Sequence, residues 1–395
     1  METELKTVAT IGGKFRDAQA PPVGNGSLNN MFVNKAPTAI VYCEGNFAQI
    51  DGKTANGLIR HSQAYRIVSV IDSKYDGQDS GLVLDDVTNH IPIFKDLETA
   101  VARDTDTPDT LIYGMAPSTG KLSQADRGVV LDAVARGMNI VSGLHEYLSD
   151  DAEISDLAVK LGVTIRDIRK PKLSKDMRLF DGSVAGVNAL RIAVLGTDCA
   201  IGKRTTATVL ARILNAEGIK TVLVGTGQTG LMQGAKFGVA MDAVPPQFCC
   251  GELEGAIVAA FDAERPDVIL IEGQGALSHP AFCTSAFILR GSQPDAVILQ
   301  HAPKRVHRCD FPNMPMPDPA DEIALIEAFA KTKVIGLTIN HEGMSDLEIG
   351  VAIATQSHKL GMPVTDALSR PEAHLLALVL SAYPGLIEQA PVAAI

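Results

Sequence analysis

The sequence predicts an α/β protein made of two parallel-sheet domains in tandem, and three observations carry that expectation. The chain has 395 residues, enough for two domains of roughly 100–200 residues each. Short β-rich runs alternate with helical patterns along most of its length, which implies parallel sheets with crossover helices. The rhythm breaks near the middle, in a polar, lysine-rich passage. A composition of 46% hydrophobic and 21% charged residues is that of a globular protein and excludes disorder of the whole chain.

The elements follow in order. Residues 1–35 carry Pro21-Pro22, Gly24-Asn25-Gly26 and Asn29-Asn30; weak periodicity and many turn formers make this an N-terminal arm. A Rossmann-like α/β domain is expected over 36–170, with strands at Thr38–Cys43, Arg66–Ile71, Thr110–Met115, Asn139–Ser142 and Val163–Ile168. Helices are expected at Lys95–Arg103, Ser123–Gly137 and Ile154–Leu161, with Gly137 and Gly162 as left-handed caps. Asp72 ends the second strand where a ribose-binding acid would sit. The first turn, Glu44 to Gly57, nonetheless lacks the Gly-x-Gly-x-x-Gly spacing. This half is therefore expected to supply a cleft wall or an oligomer surface rather than to bind NAD.

A linker is placed over 171–188, within the stretch from Arg169 to Gly186 that has no apolar period. A doubly wound parallel-sheet domain is expected over 189–395. It opens with Arg191–Gly196 and runs through Lys203–Glu217, Lys220–Gly225, Glu252–Ala263, Val268–Ile271, Ala296–Gln300, Ile323–Thr332 and Val334–Asn340. Helices around Glu348–Leu360 and Pro371–Tyr383 close it.

A net charge of −11 excludes a general binder of nucleic acid or anionic membrane, since such domains carry a surplus of Lys and Arg. The absence of Trp argues against base-stacking platforms. Six Cys with no CxxC pair do not form a disulfide framework, so a reducing compartment is expected. No window reaches the roughly 18 apolar residues of a membrane span. Glu2, Glu4 and Asp17 with no apolar core make the N-terminus unlike a signal peptide, and the expected location is the cytoplasm.

The sharpest signal is the strand ending at Leu195 followed by Gly196-Thr197-Asp198-Cys199-Ala200-Ile201-Gly202-Lys203-Arg204-Thr205-Thr206 and a helical pattern. A Gly-rich turn between strand and helix presents consecutive backbone N–H groups to an anion, and the lysine adds a point charge. This is a phosphate loop, and the second half is a P-loop domain. Its five-residue spacing between glycines resembles the loop of dethiobiotin synthetase. Arg204 stands where a Ser or Thr ordinarily ligates Mg²⁺, with Thr205 one residue on, which favours holding a pyrophosphate without cleaving it.

Three further clusters are candidates. Glu272 ends a buried strand in the turn Glu272-Gly-Gln-Gly, at the edge where open α/β sheets bind ligands; it could hold a cation, act as a base or cap the next turn. The run from His301 to Cys309 is densely cationic, and Arg305 or Arg308 could receive a carboxylate or phosphate bidentately. Asp242 and Glu254, with Glu252, flank Cys249-Cys250 near an expected helix start and are secondary candidates for a substrate ammonium. His279, Cys283, His301, His307 and Cys309 match no structural zinc spacing, so no metal site is expected.

Asp51-Gly-Lys-Thr-Ala-Asn-Gly57, the loop, the Glu272 turn and the basic run together resemble a family of two-domain P-loop proteins long catalogued as a domain of unknown function. The resemblance covers nearly everything after about residue 36. Some members are labelled NAD-dependent epimerases, and those with an assigned activity are D-glutamate N-acetyltransferases. The resemblance implies use of acetyl-CoA and work beside an epimerase in D-amino acid catabolism. Acyl transfer from coenzyme A needs a pyrophosphate site but no metal, which suits this loop.

The expected function is acetyl-CoA-dependent N-acetylation of an amino acid, D-glutamate or a related D-amino acid. Such an enzyme needs a cation for the carboxylate, a base for the ammonium and donors for the oxyanion. The candidates are Arg305 or Arg308, Glu272 or His301, and Lys203 with the loop N–H groups. One alternative is an ATP- and Mg²⁺-dependent carboxylate-activating enzyme like dethiobiotin synthetase, with Thr205 and Glu272 on the metal. Another is a nucleotide-sensing module. The expected partners are a small amino acid and further copies of the chain.

Overall fold

Runs of β-branched and aliphatic residues make the strands of both sheets. The computed structural model describes residues 36–103, 107–117 and 119–389; the expected arm over 1–35 lies outside them. The first sheet contains β1 (Thr38–Tyr42), β2 (Arg66–Ile71), β3 (Ile93–Phe94), β4 (Thr110–Tyr113), β5 (Asn139–Ser142) and β6 (Ile165–Asp167). All pairings are parallel and the order is β3-β2-β1-β4-β5-β6, the Rossmann arrangement. Ile40, Val41, Leu111 and Ile112 are fully buried, as expected of strands covered on both faces.

The helices of this domain are α1 (Lys53–His61), α2 (Ser80–Asp85), α3 (Leu97–Ala102), α4 (Gln124–Ala135) and α5 (Ala152–Leu161). Asp96, Ser123 and Asp151 cap α3, α4 and α5 through their side chains. Gly137 and Gly162 follow α4 and α5 at φ +83° and +68°, the left-handed conformation expected of them. Helices α1 and α2 and the two-residue β3 are additions to the sequence reading.

The second domain runs β7 (Leu190–Gly196), α6 (Lys203–Ala216), β8 (Thr221–Gly225), α7 (Gln228–Gln233), β9 (Phe237–Gly238), α8 (Pro246–Glu264), β10 (Val268–Glu272), α9 (Thr284–Ser292) and β11 (Ala296–His301). It continues through β12 (His307–Arg308), β13 (Phe311–Pro315), α10 (Pro319–Phe329), β14 (Lys333–Ile339), α11 (Asp346–Leu360), β15 (Val364–Thr365) and α12 (Glu372–Ala382). Its seven-stranded parallel sheet has the order β15-β14-β11-β7-β10-β8-β9, and β12 and β13 form a separate hairpin. β7 is central: Val194 pairs with Glu272 of β10 on one side, and Gly196 with Gln300 of β11 on the other. Helix α8 begins at Pro246, where proline suits a first helical position. Glu252 and Glu254 therefore lie inside a helix, not at its N-terminus.

The linker is docked rather than loose. Arg178 N–H donates to Glu252 Oε1, and the N–H groups of Asp181 and Val184 to Glu254. Gly251 permits the approach, since a Cβ there would lie 2.2 Å from the Arg178 carbonyl oxygen. The two sheets also meet directly through α7. Its Met232 is buried in the first domain's core, and Thr229 and Gln233 hydrogen-bond to Thr54 and Gly57 of α1.

Candidate functional site

The C-terminal ends of β7, β10 and β11 lie side by side, with β10 and β11 on opposite sides of β7, and this is the ligand edge of an open α/β fold. From β7 the chain turns through Thr197–Gly202 into α6, with Ala200 at φ +50° and Gly202 at φ +100°. α6 has no side-chain cap and no acidic residue in its first turn, so its free N–H groups and positive end are open to an anion. A Cβ on Gly196 would lie 2.8 Å from Ile201 and 3.0 Å from the Gln300 carbonyl; only glycine leaves room for the loop to close here.

Lys203 is buried and its Nζ donates to the Asp198 carbonyl inside the loop. Burial lowers its pKa, opposed by Cys199, Asp198 and Glu272. Thr197 Oγ1 lies 2.9 Å from His301 Nδ1, and Thr206 Oγ1 donates to Gln300 Oε1 at 2.7 Å, so β11 holds both ends of the loop. Burial raises the Cys199 thiol, with Lys203 and Lys53 pulling the other way. Arg204 does not stay within the loop. Its side chain runs to the first domain, where a Cβ on Gly57 would meet its guanidinium at 2.5 Å.

The structure separates the two arginines that the sequence left equivalent. Arg305 clamps the loop from outside, donating to Asp198 Oδ2 (3.3 Å), the Cys199 carbonyl (2.9 Å) and the Ala200 carbonyl (3.2 Å), and to Glu342 (3.0 Å). Its hydrogen-bonding capacity is largely taken. Arg308 is buried and donates only to neutral acceptors among the described residues, the Thr197 carbonyl at 3.2 Å and Ser278 Oγ at 2.8 Å. It has no carboxylate partner there, and is the better receptor for a ligand anion.

Glu272 lies behind the turn after β8. Its Oε2 accepts from Thr226 N–H at 3.0 Å and a second bond comes from Gly227 N–H. Burial raises its pKa, partly offset by Arg204 and these amides. Burial pushes His301 down to about 4, so it is neutral at pH 7 and holds Thr197 rather than serving as a strong base. Asp242 is paired with Arg169 at 2.7 Å, and Glu254 is occupied by the linker amides. Glu254 thus holds the linker, and Asp242 the end of the first domain. Asp72 accepts from Phe47 N–H and Lys74 N–H, so it fixes a turn where a dinucleotide-binding fold would place a ribose ligand.

Two residues join the site that the sequence reading did not assign to it. Lys53 opens α1 and makes no ion pair among the described residues, yet lies near enough to influence Cys199; the Gly52-Lys53-Thr54 triplet at a helix start was its only local signal. His279, weighed only as a zinc ligand, is buried 4.0 Å from Asp198. Among the described residues no three His, Cys, Asp or Glu converge on a metal position, and no helix is long and apolar enough to cross a membrane.

Comparison with known proteins accords with this architecture. Residues 178–376 match a family model described as a domain of unknown function, the DUF1611_C P-loop domain, and residues 73–171 the DUF1611_N Rossmann-like domain. A protein from Tritonibacter scottomollicae named D-glutamate N-acetyltransferase is 32% identical over 263 residues, 65% of this chain and 77% of its own length. One of the same name from a Pseudoalteromonas species is 34% identical over 266 residues, 66% of this chain and 77% of its own. The crystal structure of a DUF1611 family protein from Anabaena variabilis ATCC 29413 superposes with a TM-score of 0.81 at 29% identity, covering 87% of this chain and 99% of that one.

Proposed function

This chain belongs to the DUF1611 family, and on that premise we propose that it is an acetyl-CoA-dependent N-acetyltransferase acting on an acidic amino acid of the D-glutamate type. The donor set of the loop carries the reading. The hydroxyl that ordinarily follows the loop lysine and binds Mg²⁺ is replaced by Arg204, and the Thr206 hydroxyl is bonded to Gln300. The uncapped start of α6 with Lys203 suits a pyrophosphate, and a cofactor whose reaction needs no metal suits a loop without its metal-binding hydroxyl. When bound, acetyl-CoA supplies an activated acyl thioester. Lys203 and the loop N–H groups hold its phosphates, and Arg308 receives the amino acid's carboxylate. Relatives named for acetyl transfer to D-glutamate support the same chemistry.

Calorimetric titration with acetyl-CoA, ATP with Mg²⁺, and NAD tests the reading. Acetyl-CoA should bind in the presence of EDTA, and Lys203→Ala should weaken it by about 1.5–3 kcal/mol, the scale of a charge-assisted hydrogen bond. A strict Mg²⁺ requirement with release of inorganic phosphate would replace it with the ATP-dependent alternative.

A further inference from the structure

Two polar atoms beside the phosphate loop are buried with no partner among the described residues, Asp198 Oδ1 and His279 Nε2. They face one another at 4.0 Å, beyond hydrogen-bond reach. Buried polar groups are almost always satisfied, so a pair left open at a ligand edge points to a group that completes it. Ala281 N–H donates to His279 Nδ1 at 3.1 Å. That nitrogen therefore carries the lone pair, and Nε2 carries the proton that faces the carboxylate.

A carboxylate within an anion cradle works against phosphate. Arg305 and the Cys309 N–H, at 3.3 and 2.7 Å, bond to Asp198 Oδ2, but among the described residues nothing bonds to Oδ1, which therefore suits a cation. Arg308 joins the two segments concerned, bonding to the residues that flank Asp198 and His279. An open acceptor and a guanidinium without a counter-ion thus lie in adjacent segments, matching the two charged ends of an amino acid. The His279 ring packs at 4.7 Å on that of Phe282, which is 38% exposed, and at 5.1 Å on that of Phe311, so these side chains must move for a ligand to reach the buried pair.

We propose that Asp198 Oδ1 is the ammonium receptor of an amino acid subsite, with Arg308 on the carboxylate and His279 as a positioning donor. This rests on the acetyltransferase reading for the identity of the amino acid.

D-glutamate and glutarate, which lacks the amine, are titrated into the free protein. The parent should prefer D-glutamate. Asp198→Asn should lose about 10- to 100-fold in D-glutamate affinity, the range for a bond to a charged group, while barely altering glutarate. In protein labelled with ¹⁵N-histidine, the His279 Nε2 resonance should report the Nε2–H tautomer and move with D-glutamate but not with glutarate, a readout that does not depend on Asp198→Asn folding. Unchanged D-glutamate affinity in folded Asp198→Asn, a silent His279 resonance, or failure of the parent to bind any amino acid would overturn the proposal. Amino acid binding without acetyl-CoA binding would instead remove the acetyltransferase reading and leave this subsite standing.

Discussion

Cys199 lies in the phosphate loop, and a thiol in a candidate acyltransferase site invites a two-step route through a covalent cysteine intermediate. Its surroundings argue otherwise. The thiolate is the nucleophile, and burial raises the Cys199 pKa despite Lys203 and Lys53 nearby, so little thiolate exists at neutral pH. Burial also pushes Cys309, in the turn between β12 and β13, up to about 12. Transfer should therefore be direct, and Cys199→Ser should retain kcat/KM within about threefold, or ~0.6 kcal/mol. Steady-state kinetics of this variant, with a pre-steady-state search for a burst in the parent, check it. A burst of coenzyme release, or a loss of several orders of magnitude in the variant, would establish an acyl-cysteine route. The arginines teach the same lesson at this scale. Arg305 and Arg308 are alike in sequence, and only their acceptors, charged and plural for one, neutral for the other, tell a loop clamp from a ligand receptor.

Among the elements, α1 is the one through which the first domain reaches the site. It starts at Gly52, whose Cβ would lie 2.1 Å from the Asn46 carbonyl, and its first turn has no acid and no side-chain cap. Lys53 leaves it toward the loop. Reversing that charge should repel a phosphate-bearing ligand, so Lys53→Glu should weaken acetyl-CoA about tenfold or more, and the melting temperature should hold because the side chain is exposed. Titration and thermal scans on one preparation separate the two effects; undiminished affinity would confine the phosphate site to the second domain. The elements legible in the sequence were the long ones with a clear period, such as α4, α5, α6 and β7. The two-residue strands β3, β9, β12 and β15 have no period to read. Helix α7 was missed for a different reason: its Gln228, Thr229 and Gln233 are polar yet buried, because the first domain docks on them. The loop Gly196–Thr206 was legible because it is contiguous, whereas the Asp198–His279 pair is brought together only by the adjacency of β7 and β10.

At the scale of the whole molecule, the two sheets share buried material, and they should unfold together. Met232 of α7 lies in the first domain's core, and Arg169, at the end of the first sheet, is the polar counterpart. Its guanidinium donates to the Gly143 carbonyl of the first domain and to Gln228 and Asp242 of the second, at 2.8 and 2.7 Å for the latter two. Arg169 is 9% exposed, so Arg169→Ala leaves the buried Gly143 carbonyl and Gln228 Oε1 without their donor, while Asp242 stays open to water. Leaving buried acceptors without a donor costs about 1–3 kcal/mol. Spread over two domains melting as one, that is a fall in Tm of roughly 1–4 °C. The chain supplies its own reporters, since it has no Trp and five of its six Tyr, 42, 65, 75, 113 and 147, belong to the first domain. Near-ultraviolet circular dichroism therefore follows that domain, and a Trp introduced at Phe287, packed on the second core, follows the other. In the parent the two traces should coincide, and Arg169→Ala should move both together. Traces that already separate in the parent would mean that the docking of α7 on α1 is too weak to couple the domains, and that the ligand edge is assembled from bodies that fold apart.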